Sequence, residues 1–161
     1  MSHFLNTPIK KPKYLVTTHT AVQATSSASQ VDTIVSGSEI TYTPDESASK
    51  VVYEISYYGE RKNYNLFQSV YLEHYVSGSW SEINAYYRRN TGQGGTSTQQ
   101  TARYYLHYRF ILPAWSGSRQ LRLNTKAINV DLQINLHQLT DWDGSSATDK
   151  FCNTNLLVYS I

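Results

Sequence analysis

Fourteen tyrosines fall in a chain of 161 residues, and many lie in strand-like stretches where both parities carry large rings. In 50–58, KVVYEISYY, Val51, Tyr53, Ile55 and Tyr57 point one way, while Val52, Glu54, Ser56 and Tyr58 point the other. The doubling recurs at Tyr86-Tyr87 and Tyr104-Tyr105. A soluble sheet with one wet face alternates apolar and polar residues. Here the second face is aromatic and polar, the composition of a surface that meets another surface. This pattern predicts a β protein built to be assembled into something larger, and no reaction is visible in it.

The bulk composition narrows the classes further. The length suits one domain with a real core, with room for an appended arm. Charged residues make up 16% and the net charge is +2, so no nucleic acid or anionic membrane is expected as partner. No apolar run approaches the ~20 residues of a membrane helix. The opening MSHFLNTPIKKPKYL lacks the continuous apolar core of a signal peptide, and no Asn-x-Ser/Thr sequon occurs. The single cysteine, Cys152, leaves no intrachain disulfide. The expectation is a protein made and folded in a reducing cytosol.

Residues 1–33 differ from the rest. Pro8 and Pro12 flank Lys10, Lys11 and Lys13, and 23–30, QATSSASQ, is small and polar. Phe4, Leu5, Ile9 and Tyr14 are more apolar surface than a linker needs. Two readings stand: a frayed tail, or an extended arm that orders on a neighbouring subunit. From 34 to 161 the signal is strands, expected at 34–42, 50–58, 64–76, 80–87, 102–112, 119–127, 128–139 and 151–161. A polar break is expected at GERKN, a hairpin turn at Ser77-Gly78-Ser79, and an exposed loop over 88–101. Roughly eight or nine strands at ~8–12 residue spacing, without a convincing helix, predict a sandwich or jelly roll. The apolar ending LLVYSI predicts that the last strand is central.

Chemistry is sparse. His3, His19, His74, His107 and His137 lie on separate segments without ligand spacing, so they read as structural or exposed and no metal or cofactor is expected. Asp141-Trp142-Asp143-Gly144 fails the calcium-loop pattern and reads as a turn. Nothing resembles a nucleophile elbow, and catalysis is not expected. Trp80, Trp115 and Trp142 sit beside turns; each is either loop-end packing or a stacking platform for a sugar or protein. Tyr86, Tyr87, Arg88 and Arg89 extend that second reading to a receptor or glycan site.

Three segments, SGSEITYTPDESASKVVYEISYY, WSGSRQLRL and LHQLTDWDG…LLVYSI, resemble small structural proteins of tailed bacteriophages, in which a tumour-necrosis-factor-like jelly roll is the building block. The resemblance covers about 36–161. It implies a non-enzymatic virion protein on the particle exterior, made in the host bacterial cytoplasm. It implies a trimer formed through aromatic faces, which assigns Tyr53, Tyr57, Tyr58, Tyr71, Tyr105, His107, Tyr159 and Ile161 to the interface. The residues alone would predict an oligomer with a dimer as default. With no shaft ahead of the jelly roll, the expected role is capsid decoration, cement or head fibre. The arm (Phe4, Leu5, Ile9, Lys10, Lys11, Lys13, Tyr14) would attach to the major capsid protein or another virion protein. The alternative is a tail-fibre tip that binds a host-surface glycan through Trp80, Tyr86, Tyr87, Arg88, Arg89 and Trp142.

Overall fold

The computed structural model describes residues 13–17, 22–25, 32–62, 66–84, 89–93, 102–127, 133–137, 139–140, 148–149 and 154–161. All of its regular elements are strands. In chain order they are β1 Lys13–Thr17, β2 Val22–Thr25, β3 Thr33–Ile34, β4 Ile40–Tyr42, β5 Lys50–Lys62, β6 Leu66–Val76 and β7 Ser79–Glu82. There follow β8 Arg89–Gln93, β9 Ala102–Pro113, β10 Arg119–Ala127, β11 Gln133–Leu136, β12 Leu139–Thr140, β13 Thr148–Asp149 and β14 Thr154–Ser160. Among the described residues no helix is long and apolar enough to cross a membrane.

Two six-stranded antiparallel sheets pack face to face, and β12 and β13 form a small separate ribbon. Both large sheets share one plan, in which long strands pair with shorter strands laid end to end. In sheet A, β5 carries β9 along one edge, and β14 followed by β11 along the other, with β1 and β2 outside them. In sheet B, β10 and β6 run side by side; β3 and β4 flank β10, and β7 and β8 flank β6. The arrangement is a β-sandwich.

The alternation in the sequence decides which face is inside. Val51, Tyr53, Ile55 and Tyr57 of β5, Leu106, Tyr108, Phe110 and Leu112 of β9, and Leu156 and Val158 of β14 meet Val70, Leu72, Leu121 and Leu123 of sheet B in one buried core. Burying such side chains is the main favourable contribution to the fold, roughly 25 cal/mol per Å² of apolar surface. The β6–β7 hairpin closes through Ser77 and Gly78 at φ 53° and 86°, the left-handed pair that a two-residue turn between twisted strands requires.

Several expectations are corrected. Strand β5 runs on through the polar stretch to Lys62, because Gly59–Lys62 pair with β11 on one side and with Tyr104, Arg103 and Ala102 of β9 on the other; a two-sided ladder holds backbone whatever its side chains. The polar 88–101 stretch contains β8, which pairs with Leu66–Val70. The single strand expected over 34–42 is two, with Gly37 at φ 79° between them. The one expected over 128–139 stops at His137, whose φ is 60°. The N-terminal arm does not stand wholly apart from the sandwich: β1 lies against β14 and β2 against β11. The last strand, β14, lies inside its sheet as expected, with β5 on one edge and β1 on the other.

Tyr53 shows how a polar ring is held inside. Its hydroxyl donates to the Ser38 carbonyl, and Ser38 Oγ in turn accepts from Leu123 N at 3.0 Å, which ties the β3–β4 turn to sheet B. Burial pushes the ionisation of this hydroxyl far above the ordinary tyrosine value; the Ser38 contact offsets part of that and Glu39 adds to it. An unfolded tyrosine loses its proton near pH ~10, whereas the folded one keeps it. The stability it contributes is therefore complete below pH ~10 and declines above it, by up to ~1.4 kcal/mol per pH unit. Urea unfolding followed from about pH 9 to about pH 11 should show that decline, and Tyr53→Phe should flatten it.

The outer face of sheet A as candidate functional site

Side chains of the parity opposite to the core form rows across β9, β5 and β14. Cα partners place Ile111, Val52 and Tyr159 in one row, Arg109, Glu54 and Leu157 in the next, and His107, Ser56 and Asn155 in the third; Tyr105 and Tyr58 follow. Ile161 extends the face beyond Tyr159, its N–H and C=O both bonded to Lys50. Tyr105 is 58% exposed, Ile161 55% and Ile111 44%, although all three are large and apolar-bodied. Between the apolar rows runs a polar chain. Ser56 Oγ lies 2.8 Å from His107 Nδ1, and His107 Nε2 lies 3.5 Å from Glu54 Oε1. Arg109 Nε is 3.6 Å from Glu54 Oε2, and Arg109 donates to the Tyr159 hydroxyl at 3.0 Å.

Ser56, His107 and Glu54 have the residue types of a nucleophile, a base and an acid. Among the described residues, the strand ladder offers no backbone donor beside Ser56 for the oxyanion of acyl transfer. Lys50 and Ile161 exchange both backbone hydrogen bonds, which fixes the phase of the ladder: even-numbered β5 residues bond to β14 and odd-numbered ones to β9. The N–H of Ser56 is thus turned to β14 and that of Tyr57 to β9, leaving neither to stabilise an oxyanion. Ser56 itself is only 8% exposed. The network orients Arg109 and His107 on the face.

The same phase leaves the backbone N–H and C=O groups of Tyr105, His107, Arg109 and Ile111 pointing away from β5, along the outer edge of β9. Among the described residues no strand pairs with that edge. Backbone groups left unpaired along a strand edge are a template on which another strand can add.

The residues expected from the sequence divide accordingly. Tyr58, Tyr105, His107, Tyr159 and Ile161 come together on this face. Tyr53 and Tyr57 do not: both are 0% exposed and point into the core, so they hold the sandwich together instead of meeting a partner. Tyr71 lies on the outer face of the other sheet, opposite Asn124, and is 6% exposed. Of the arm residues, Lys13 and Tyr14 lie in β1 opposite Val158 and Leu157; Phe4, Leu5, Ile9, Lys10 and Lys11 lie outside the described residues. Trp80 is in β7 opposite Tyr75, and Arg89 opens β8 opposite Val70. Tyr86, Tyr87, Arg88 and Trp142 lie outside the described residues. Trp115 packs against the core, edge-on to Tyr42 and beneath Arg119. Parity alone sets Glu54 and Arg109 on this face, but neither they nor Ile111 were expected among the interface residues.

His74 and His137 also lie apart from each other. His137 is buried, with its ring 5.9 Å from that of Tyr57 and Nδ1 3.3 Å from Thr154 Oγ1. Burial first, and then the Arg119 charge, hold His74 below the ordinary histidine value. Among the described residues no group of three or more potential ligands could hold a metal ion.

The described residues thus form an all-β sandwich whose sheet A leaves Tyr105, Ile111 and Ile161 exposed on its outer face. No protein-family model matches its sequence, and no characterised protein matches it significantly.

Proposed function

We propose that this is a non-enzymatic assembly protein whose working surface is the outer face of sheet A. The observation that carries the reading is the exposure of Tyr105, Ile111 and Ile161 on the face that also holds Tyr58, Leu157 and Tyr159. A second copy of the chain fits this surface. Apolar rows lie on either side of a central pair of opposite charge, Glu54 and Arg109. Copies related by a threefold axis can bring these apolar rows together and set an arginine of one subunit against a glutamate of the next.

The setting we propose is the exterior of a virus particle, with the protein serving as a trimeric capsid decoration, cement or head-fibre subunit. Its sandwich would have the jelly-roll wiring of the tumour-necrosis-factor-like proteins. The support for this setting is the resemblance of 36–161 to small phage structural proteins, together with a sandwich that offers an aromatic face. Residues preceding β1 would supply the contact with the major capsid protein or another virion protein. Electron microscopy of particles carrying a gold-labelled tag on this chain tests the setting. Label over the heads is the expected result, and label confined to tail tips or absent from particles contradicts it.

A further inference from the structure

The outer face of sheet B carries a different constellation. Register places Tyr75 between Gln120 and Trp80, and Glu73 between Arg122 and Glu82. Arg122 Nε donates to Glu73 Oε2 at 2.7 Å, and its guanidinium carbon lies 4.0 Å from the centroid of the Trp80 ring. The pair is held firmly, with only 16% and 12% of the two side chains exposed. Yet an arginine has five N–H donors, and this one uses one. Among the described residues the other donors, and Glu73 Oε1, have no protein partner. Beside them the Tyr75 ring sits 5.4 Å from that of Trp80, with 60° between the planes, and the tyrosine is 41% exposed.

We propose that this cluster is a saccharide-binding site. The charges select against the ligands an arginine usually takes. Arg122 is already balanced by Glu73, so a phosphate or carboxylate would find no net positive charge here. What fits is neutral, has an apolar face for the exposed ring, and carries neighbouring groups that both donate and accept. A pyranose has all three properties. Its C–H face lies on Tyr75, one hydroxyl donates to Glu73 Oε1, and that hydroxyl or its neighbour accepts from the spare N–H groups of Arg122. Trp80 keeps the guanidinium in place, so little side-chain freedom is lost on binding. The site lies on the opposite sheet from the self-association face and stands independently of it.

The test uses the full chain and three probes: the methyl glycosides of glucose, galactose and N-acetylglucosamine at millimolar concentration. Binding is read from the indole N–H resonance of Trp80, with Trp115 as internal control. At least one glycoside is expected to shift the Trp80 signal saturably and leave Trp115 unmoved. Tyr75→Ala, which alters a half-open side chain, and Arg122→Lys, which keeps the charge but loses the fork, should each weaken binding at least ~10-fold. Tyr105→Asp on the other sheet should leave it unchanged. No shift with any of the three probes, or a shift that survives in both Tyr75→Ala and Arg122→Lys, overturns the proposal.

Discussion

Phe110→Ala is expected to cost about 3–5 kcal/mol of stability. Phe110 is 0% exposed, opposite Tyr53 of β5. Its ring meets that of Tyr53 edge-on at 6.2 Å and stacks along Tyr108 at 6.5 Å. Alanine removes the ring and leaves a cavity between two tyrosines whose positions are fixed by their own strands, so collapse into it is limited. A domain of this kind holds only about 5–15 kcal/mol in total. Chemical denaturation should show a large fall in the midpoint with an unchanged slope. A loss below ~1 kcal/mol would mean that Phe110 is not in the core.

The second large effect concerns the last strand. Removing Tyr159, Ser160 and Ile161 takes away the carbonyl of Ile161, which accepts from Ser49 N and Lys50 N, both at 2.9 Å, and the Ile161 N–H that bonds to Lys50 O at 2.9 Å. It also removes Ser160 Oγ, bonded to the Tyr42 hydroxyl at 2.6 Å and to Asp45 N at 3.2 Å. These bonds fasten the chain between β4 and β5 to sheet A. At roughly 1 kcal/mol net for each bond, with the cover of Val52 lost as well, the change should cost about 4 kcal/mol or more. The melting temperature should fall by ~10 °C. An unchanged melting curve would show that this seam is peripheral.

The strands that were legible in the sequence are those whose side chains alternate because one face packs on the other sheet: β5, β6, β9, β10 and β14. What was not legible was set by backbone pairing. Gly59–Lys62 and Arg89–Gln93 carry little apolar signal, and they are strands because a neighbour offers a ladder. Likewise Lys13–Thr17 is a strand because β14 has a second edge to fill. One consequence is that removing residues 1–20 would strip β14 of its outer neighbour, so a shorter truncation ending before Lys13 is the one that probes attachment alone.

The tyrosines mark the limit of pattern reading at the site. Tyr53 and Tyr58 sit five residues apart on β5 with similar surroundings in sequence, yet one is core and the other lies on the outer face. Tyrosine suits both places, since its ring packs and its hydroxyl needs only one partner. Parity separates the two faces but does not say which is inside. The Ser38 carbonyl that receives the Tyr53 hydroxyl, distant along the chain and close in space, settles it. The polar chain from Ser56 to Tyr159 was equally hidden, because its members come from three strands.

Sedimentation velocity of the chain beside its Tyr105→Asp/Ile111→Asp variant tests the central claim most directly. Both side chains are exposed and neither packs in the core, so the variant should keep its melting temperature, as surface changes usually do. At micromolar concentration the unaltered chain should sediment as an oligomer, with three copies the number expected, and the variant as a monomer. An unaltered chain that sediments only as monomer, or a variant that keeps the same oligomer, would contradict assembly through the outer face of sheet A.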